Sequence, residues 1–243
     1  MPTIGLLYPG HSAEDDYPLL EARLGSGLRL PLVHTTVGED AHRVDALLDL
    51  GGRERLAEGA RTLTEEHSPD AVMWACTSGS FVFGWEGAHQ QVAELEEVTG
   101  VPTSSTSLSF VAACQALDLT RVSVAASYPQ EVAESFVSFL GHGGVEVTAM
   151  GSHGIVTAAE VGLLGQHDVE TIVRGADLTG GAQAVLVPDT AMHTLQWIES
   201  LEQMAGVPVL TANQVTVWQG LRLLSEVPVI DSLGTLFSTR SRG

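Results

Sequence analysis

The sequence predicts an α/β protein built from two similar halves, and three observations predict this fold class. Short apolar runs alternate along the chain with segments of helical periodicity, which is the pattern of parallel strands connected by helices. Charged residues make up only 17% of the 243 residues and glycine occurs 26 times, as suits strands that are buried on both faces. Several short motifs also occur twice in the same order, which indicates an internal repeat.

The alternation of strands and helices can be followed from one end of the chain to the other. Apolar runs predict strands at 3–8, 71–75, 121–126, 146–150 and 184–187. Apolar residues at helical spacing predict helices over 53–66, 88–98, 109–117, 131–140, 169–178, 194–204 and 215–224. Elements in this order are expected to form parallel sheets that are flanked by helices.

Three matched segments make up the internal repeat. The run Ala-Val-Met-Trp-Ala-Cys-Thr at 71–77 matches Ala-Val-Leu-Val-Pro-Asp-Thr at 184–190, which aligns Cys76 with Asp189. A segment that ends in Gly-Val-Pro and a strand followed by Tyr-Pro also occur once in each half. Because the three matches keep the same order, the sequence predicts a duplicated unit.

The repeat has a geometric consequence for the functional site. In parallel sheets, ligands bind at the carboxyl ends of the strands, which is where Cys76 and Asp189 are expected. If the two halves face each other through a pseudo-twofold axis, their strand ends converge on one cleft. Cys76 and Asp189 then lie on opposite sides of a substrate.

The Gly-Val-Pro turns also predict where the chain crosses between the halves. After the first turn the chain is expected to enter the second half, and after the second turn it is expected to return. The predicted first lobe therefore comprises residues 1–107 and 211–243, and the predicted second lobe comprises residues 108–210.

The charge of the chain excludes several classes of function. A formal net charge of −19 repels nucleic-acid phosphates and anionic lipid, so neither nucleic acid nor a membrane is an expected partner. All 11 basic residues are arginine, which excludes a Schiff-base lysine, a pyridoxal-phosphate site and a Walker-type phosphate loop. An anionic substrate would need hydroxyls and the N–H groups of helix N-termini.

The expected location is the cytoplasm. The N-terminus lacks the basic and apolar regions of a signal peptide, and no apolar run approaches the length of a membrane span. The chain has only two cysteines, and in the cytoplasm both would stay reduced. The apolar helices are compatible with a homodimer.

Cys76 is the strongest candidate for a reactive group. It follows an apolar strand and precedes Thr77 and Ser78, where a helix is expected to begin. The dipole and the free N–H groups of a helix N-terminus stabilise a thiolate. The alternative is a buried cysteine that packs as a small hydrophobe, and this is the interpretation of Cys114, which lies on an apolar helix face.

Hydroxyl groups near the predicted strand ends are candidate substrate donors. Thr77, Ser78 and Thr190, with their backbone N–H groups, can donate to a carboxylate or an enediolate. Their alternative role is to cap helices, and both roles are compatible. Tyr128 is a candidate phenol donor because it follows a strand, and Tyr8 is its counterpart in the first half.

The acidic and imidazole side chains leave more alternatives open. Asp189 is a candidate general acid or base if burial raises its pKa, or it is an ordinary helix cap. His11 and His193 are candidates to line the cleft. Asp189 and His193 can share a helix face, but no third ligand is visible, so the sequence predicts no metal site. No Gly-x-Gly-x-x-Gly motif follows a strand, and no nicotinamide or flavin cofactor is expected.

Several of these motifs resemble those of the aspartate/glutamate racemase superfamily. The segment from Trp74 to Phe81, the Tyr128 segment, the segment from Pro188 to Leu195 and both Gly-Val-Pro turns carry the resemblance. The branch that this chain most resembles holds maleate cis–trans isomerases and arylmalonate decarboxylases. The resemblance implies two lobes related by a pseudo-twofold axis, an active site between them, and no metal or organic cofactor.

The resemblance also implies roles for individual residues. Racemases and maleate isomerases carry one cysteine on each lobe, and Cys76 matches the first of these while Asp189 replaces the second. Arylmalonate decarboxylases keep only the second cysteine. By resemblance to those decarboxylases, Thr77 and Ser78, together with Tyr128 and Thr190, would stabilise an enediolate. Maleate isomerases usually show Pro-Ser-Ser-Asn near the N-terminus, where this chain reads Pro-Gly-His-Ser at 9–12.

Four functions are compatible with these residues. The leading hypothesis is an isomerase of the maleate type, in which the Cys76 thiolate attacks a small carboxylate or dicarboxylate substrate. The second is a decarboxylase of the arylmalonate type, in which Cys76 donates a proton to an enediolate. The third is a racemase in which Cys76 and Asp189 exchange a proton. The fourth is a binding protein that has no catalytic activity.

Overall fold

The computed structural model describes residues 1–25, 27–225 and 227–238. Two four-stranded sheets form its centre. The strands of the first sheet are β1 (Ile4–Pro9), β2 (Leu32–Thr35), β3 (Ala71–Trp74) and β4 (Thr103–Ser105). The strands of the second sheet are β5 (Arg121–Ala126), β6 (Glu146–Ser152), β7 (Ala184–Val187) and β8 (Val209–Thr211).

Helices flank both sheets. In the first part of the chain they are α1 (Asp16–Leu24), α2 (Val44–Leu50), α3 (Arg53–His67), α4 (Ser78–Phe81), α5 (Gly84–Thr99) and α6 (Thr106–Ala116). In the second part they are α7 (Gln130–His142), α8 (Ala158–Gly162), α9 (Gln166–Arg174), α10 (Ile198–Ala205), α11 (Ala212–Leu223) and α12 (Thr235–Ser238). A short 3₁₀ helix covers Asp231–Leu233.

The two sheets have the same topology, which confirms the predicted α/β class. Their strand orders are β2-β1-β3-β4 and β6-β5-β7-β8, and neighbouring strands run parallel in both. Strands β3 and β7 occupy equivalent inner positions, and every residue in both is buried. This explains why their sequences are uninterrupted apolar runs, since helices cover both faces of a parallel sheet.

Five predicted helices, α5, α6, α9, α10 and α11, begin three or four residues from the predicted start, and two of them show the reason. Helix α9 begins at Gln166, because the Asp168 carboxylate accepts a hydrogen bond from the Gly165 N–H (3.0 Å) and fixes the first turn. Helix α10 begins only at Ile198. The backbone N–H of Thr194 donates instead to the Asp16 carboxylate (3.1 Å), so the residues before Ile198 form turns.

Helix α11 packs against the first sheet. Helix α11 follows the second Gly-Val-Pro turn and contacts strands β1, β3 and β4. The division into lobes at residues 107 and 211 stays a prediction, and the predicted first lobe includes Glu226 and residues 239–243, which lie outside the described residues. Among the described residues, no helix combines the length and apolar character that crossing a lipid bilayer requires.

Candidate active site

One cavity lies at the carboxyl ends of β1, β3 and β7 and has a volume of about 230 Å³. It brings together six of the residues predicted from the sequence, which are Tyr8, His11, Cys76, Ser78, Asp189 and Thr190. Cys76 comes from the first half and Asp189 from the second. The predicted convergence of strand ends on one cleft is therefore present in the structure.

Cys76 lies in the turn between β3 and α4 and is 3% exposed. The Gly79 N–H donates to Sγ (3.3 Å), and the Ser78 hydroxyl lies 4.0 Å from it. A Cβ atom at residue 79 would lie only 3.1 Å from Sγ, so glycine allows the helix to begin this close to the thiol. The first turn of α4 is thus built around the sulfur atom.

The thiol of Cys76 is nevertheless harder to ionise than an ordinary cysteine. Burial raises its pKa to about 12, the Gly79 N–H and Ser78 oppose this rise, and the charge of Asp189 adds to it. Burial alone raises the pKa of Cys114 to about 12 as well. The sequence predicted a stabilised thiolate from the helix N-terminus. That effect is present, but α4 has only four residues and the loss of hydration outweighs it.

Asp189 follows β7 and is also buried. Its Oδ2 atom accepts a short hydrogen bond from the Ser127 hydroxyl, and its Oδ1 atom accepts one from the Ala191 N–H (3.0 Å). The carboxylate thus bonds its own turn, as the capping interpretation expects, and also lines the cavity. Both predicted roles remain compatible with its position.

The hydroxyl residues after β3 differ in their surroundings. Ser78 lines the cavity, whereas Thr77 lies behind it. The Thr77 Oγ1 atom is buried and has no hydrogen-bond partner among the described residues. Its side chain therefore does not cap α4, and because Thr77 is buried and does not line the cavity, a contact between its hydroxyl and an anion would require a rearrangement.

The two tyrosines are already engaged in hydrogen bonds. The Tyr8 hydroxyl donates to the Thr190 carbonyl oxygen (3.0 Å) and accepts from the Ala13 N–H (3.1 Å). The Tyr128 hydroxyl donates to the Pro188 carbonyl oxygen (2.8 Å). Burial is the main cause that raises the pKa of both phenols. Tyr128 does not line the cavity, so its predicted contact with a substrate would require a rearrangement.

His11 lies at the rim of the cavity and is largely exposed. Its Nδ1 atom is 3.1 Å from Glu14 Oε1, and His34 Nε2 is 3.6 Å from the same oxygen. One donor atom from each of these three residues lies within 4.8 Å of the others, which is close enough for them to hold a metal ion. The pair considered from the sequence, Asp189 and His193, does not form such a group, since His193 Nε2 is bonded to Asp15 (2.7 Å).

His42 is the imidazole of the cavity wall that the sequence did not single out, besides the predicted His11. It lies after β2, in the segment 36–43, which crosses to the second half. Its ring Nδ1 is 2.9 Å from the Ile155 carbonyl oxygen, and its Nε2 is 4.0 Å from Asp189 Oδ2. A single histidine in a loop carries no signal in the sequence, because its partners lie more than 100 residues away along the chain.

The charge of the cavity wall is unusual for a site that is expected to bind an anion. Among the described residues, no arginine lines it, and the chain has no lysine. Three carboxylates do line it, those of Glu39, Asp40 and Asp189. Histidines are therefore the groups in the wall that can carry a positive charge, and hydroxyl and N–H groups must supply the remaining stabilisation of an anion.

Two parallel sheets of the same strand order, with a cleft at their strand ends, identify the aspartate/glutamate racemase-like fold, which the solved structures of arylmalonate decarboxylase and maleate isomerase also have. Residues 51–237 match the arylmalonate decarboxylase family, and the chain belongs to that family.

Two relatives of this chain are enzymes with different names and reactions. The arylmalonate decarboxylase of Bordetella bronchiseptica is 26% identical over 235 residues, which cover 91% of this chain and 90% of that protein. The maleate isomerase of Nocardia farcinica is 27% identical over 175 residues, which cover 70% of this chain and 69% of that protein. Family membership thus supports an enzyme, while the reaction must be argued from the site.

A solved structure shows the same fold over the whole chain. It is a cysteine-to-serine variant of the Nocardia farcinica maleate cis-trans isomerase with a covalently bound succinylcysteine intermediate. The two chains superpose with a TM-score of 0.88 at 22% identity, and the match covers 99% of each.

Proposed function

We propose that this protein is a decarboxylase of an α-substituted malonate, in which the Cys76 thiol donates a proton to the α-carbon. The observation that carries the proposal is the burial of Cys76 in a cavity that it shares with Asp189, because burial and the charge of that carboxylate raise the pKa of the thiol and so favour its protonated form. A nucleophile must be a thiolate, whereas a proton donor must be a thiol. The sequence favoured Cys76 as a nucleophile, whereas the surroundings of Cys76 in the structure favour it as a proton donor.

The reaction can be written with the groups of this cleft. The bond between the α-carbon and one carboxylate breaks, and carbon dioxide leaves. The electron pair moves onto the retained carboxylate, which becomes an enediolate. The Cys76 S–H group then gives its proton to the α-carbon, and water restores the thiol. The product is the monocarboxylate with one new C–H bond.

The hydroxyl residues after β3 are suited to stabilise the enediolate. The unpartnered Thr77 hydroxyl and the Ser78 hydroxyl lie beside Cys76, on the same turn. Donors fixed in a dry site stabilise developing negative charge much better than water does. The retained carboxylate would therefore sit against this turn, with its α-carbon next to the sulfur atom.

The opposite part of the wall is suited to the carboxylate that leaves. Ala191 gives it apolar surface and Asp189 adds a negative charge, while Leu50 adds apolar surface beside the Cys76 turn, where a Cβ atom at residue 79 would lie 3.6 Å from it. A carboxylate in such surroundings is poorly solvated and is repelled by Asp189. Its departure as neutral carbon dioxide removes both penalties. The same apolar residues would accept the substituent on the α-carbon.

An isomerase of the maleate type is the second candidate. The position of Cys76 on the first half favours it, since the resemblance places the nucleophile of maleate isomerases there. In the Nocardia farcinica enzyme, a succinylcysteine intermediate is covalently bound. In this chain the same step would need the substrate to lower the pKa of Cys76 on binding.

Nuclear magnetic resonance in deuterated water separates the candidates. The protein is incubated in turn with aryl- and alkyl-substituted malonates, maleate and amino acids. We expect a substituted malonate to give a monocarboxylate with one deuterium at the α-carbon. Fumarate from maleate without malonate turnover would overturn the decarboxylase in favour of the isomerase. Deuterium in an amino acid would indicate a racemase, and no reaction with any compound would indicate a binding protein.

A further inference from the structure

We propose that His42 is a second proton-transfer residue of this cleft, which acts with Asp189 on the face of the substrate opposite Cys76. The inference rests on the proposed function in one respect, namely that a carboxylate substrate binds between Cys76 and Asp189. It adds a further activity, the exchange of the α-hydrogen of a monocarboxylate. The part of the wall that carries Asp189 thus also carries an imidazole, whereas the first half carries a thiol at the position of the repeat that is equivalent to Asp189.

The hydrogen bonds of His42 define which ring nitrogen carries the hydrogen. A carbonyl oxygen only accepts, so the contact between Nδ1 and the Ile155 oxygen (2.9 Å) requires the hydrogen on Nδ1. In the neutral ring, Nε2 then has a free lone pair. Nε2 is the nitrogen near Asp189, at 4.0 Å from Oδ2. The ring is therefore fixed in the tautomer in which Nε2 is a base.

The ring belongs to the wall of the second half, although its backbone follows β2. The His42 N–H donates to the Val156 carbonyl oxygen (2.7 Å), and the ring packs edge-on against Tyr128, with centroids 4.9 Å apart. Its side chain is only 5% exposed. Ile155, Val156, Tyr128 and Asp189 all come from the second half, while Cys76 comes from the first. A substrate in the cavity that both residues line would therefore meet a thiol from the first half and an imidazole from the wall of the second half.

Asp189 supplies the negative charge that a buried imidazole needs nearby in order to accept a proton. An imidazolium without a partner is costly in a buried site, and a nearby carboxylate offsets that cost. The Ser127 hydroxyl and the Ala191 N–H hold the carboxylate in place. The Ile155 carbonyl oxygen orients the ring through Nδ1, and Asp189 is close enough to Nε2 to stabilise the positive charge that forms when the ring takes a proton.

The exchange step balances without any other reactant. Nε2 of the neutral ring takes the α-hydrogen as a proton, and the C–H electron pair moves onto the carboxylate to form the enediolate. The enediolate then takes a proton either back from the imidazolium or from the Cys76 thiol on the other face. In deuterated water the first route replaces the α-hydrogen with retention, and the second inverts the α-carbon.

His42→Asn is the most informative substitution. The asparagine amide N–H can replace the Nδ1–H that bonds Ile155, while the base at Nε2 is lost. His142→Asn is the matched control, because His142 Nδ1 also bonds a carbonyl oxygen, that of Ser138 (2.8 Å), and this histidine is exposed outside the cleft. Exchange is measured on the separate enantiomers of an α-aryl monocarboxylate in deuterated water, alongside decarboxylation of the corresponding malonate.

We expect His42→Asn to lower the ratio of exchange to decarboxylation by about 100-fold, because a general base usually contributes at least this much. The ratio should fall more for one enantiomer than for the other. The control is expected to leave the ratio unchanged. An unchanged ratio in His42→Asn, or no exchange in the wild-type protein, would overturn the proposal. If no malonate reacts but exchange depends on His42, the decarboxylase assignment fails and the role of His42 stands.

A measurement on the wild-type protein covers the case in which the variant does not fold. Nitrogen-15 spectra of the histidine rings report which nitrogen carries the hydrogen. We expect the neutral His42 ring to be protonated at Nδ1 and bare at Nε2. A hydrogen on Nε2 in the neutral ring would overturn the proposal independently of any activity.

Discussion

The two halves of the molecule have the same strand order and present different chemistry at equivalent strand ends. At the end of β3 the first half has a thiol that accepts a hydrogen bond from a backbone N–H. At the end of β7 the second half has a carboxylate that accepts hydrogen bonds from a hydroxyl and a backbone N–H. The repeated backbone thus places two groups across one cleft, and single residues then decide what each group can do.

The largest expected effect tests whether the thiol side carries the reaction. Cys76→Ala removes the proposed proton donor, and we expect decarboxylation to fall by about 1000-fold, within the range known for general acids. Cys114→Ala is the control, because Cys114 has a similarly raised pKa but lies in the core away from the cavity. Rates are measured by release of carbon dioxide. Turnover that survives in Cys76→Ala would contradict the assignment.

The next effect tests how the halves are joined. Asp16 of α1 is buried and accepts hydrogen bonds from the Thr194 N–H (3.1 Å) and the Asn213 side chain (3.0 Å). Asp16→Ala leaves these donors unpaired, so we expect the free energy of unfolding to fall by about 3 kcal/mol. Asp15→Ala removes a neighbouring exposed carboxylate and should have a much smaller effect. Urea unfolding curves compare the two, and equal losses would contradict the role of Asp16.

A smaller effect tests whether the carboxylate side acts on the thiol. The charge of Asp189 contributes to the raised pKa of Cys76. Asp189→Asn removes that charge, which lowers the pKa and increases the thiolate fraction at neutral pH. We expect faster alkylation of Cys76 by iodoacetamide, by about tenfold for each unit that the pKa falls. Peptide mass spectrometry follows both cysteines, and Cys114 provides the internal reference.

The rate of alkylation of Cys76 should also depend on pH, in a direction that follows from the raised pKa of its thiol. In the wild-type protein the pKa of Cys76 is about 12, so the thiol predominates at neutral pH. The alkylation rate should therefore rise about tenfold per pH unit as the pH increases towards that value. A rate that levels off near pH 7 would show a thiolate and would favour the isomerase.

Much of this asymmetric site follows from the sequence. The apolar runs of β3 and β7 can be recognised in the sequence because parallel inner strands are buried on both faces. The repeat of these runs also aligned Cys76 with Asp189. Strands β2, β4 and β8 were missed because each has only three or four residues, and the sequence of β4, Thr-Ser-Ser, has no apolar residue. The raised pKa of Cys76 was missed because it depends on how completely the surrounding chain excludes water. His42 was missed because distant backbone carbonyls position its ring.

The smallest expected effect concerns the segment 36–43, which brings His42 from the first half to the wall of the second. Asp40 fixes this segment, since its carboxylate accepts hydrogen bonds from the N–H groups of Ala158 (2.8 Å) and Ala159 (3.1 Å) at the start of α8. Asp40→Ala leaves those N–H groups to water and loosens the segment, with an expected loss of about 1 kcal/mol in the free energy of unfolding.

Because Asp40 holds the wall and does not act in the chemistry, we expect KM to rise severalfold and kcat to change less. Asp45→Ala is the control, since Asp45 forms an exposed ion pair with Arg43 and does not contact α8. Steady-state kinetics and thermal unfolding distinguish the two variants. A kcat that falls as steeply as in Cys76→Ala, in a protein that stays folded, would contradict a purely positioning role. Asp40 would then have to be placed among the groups that touch the substrate.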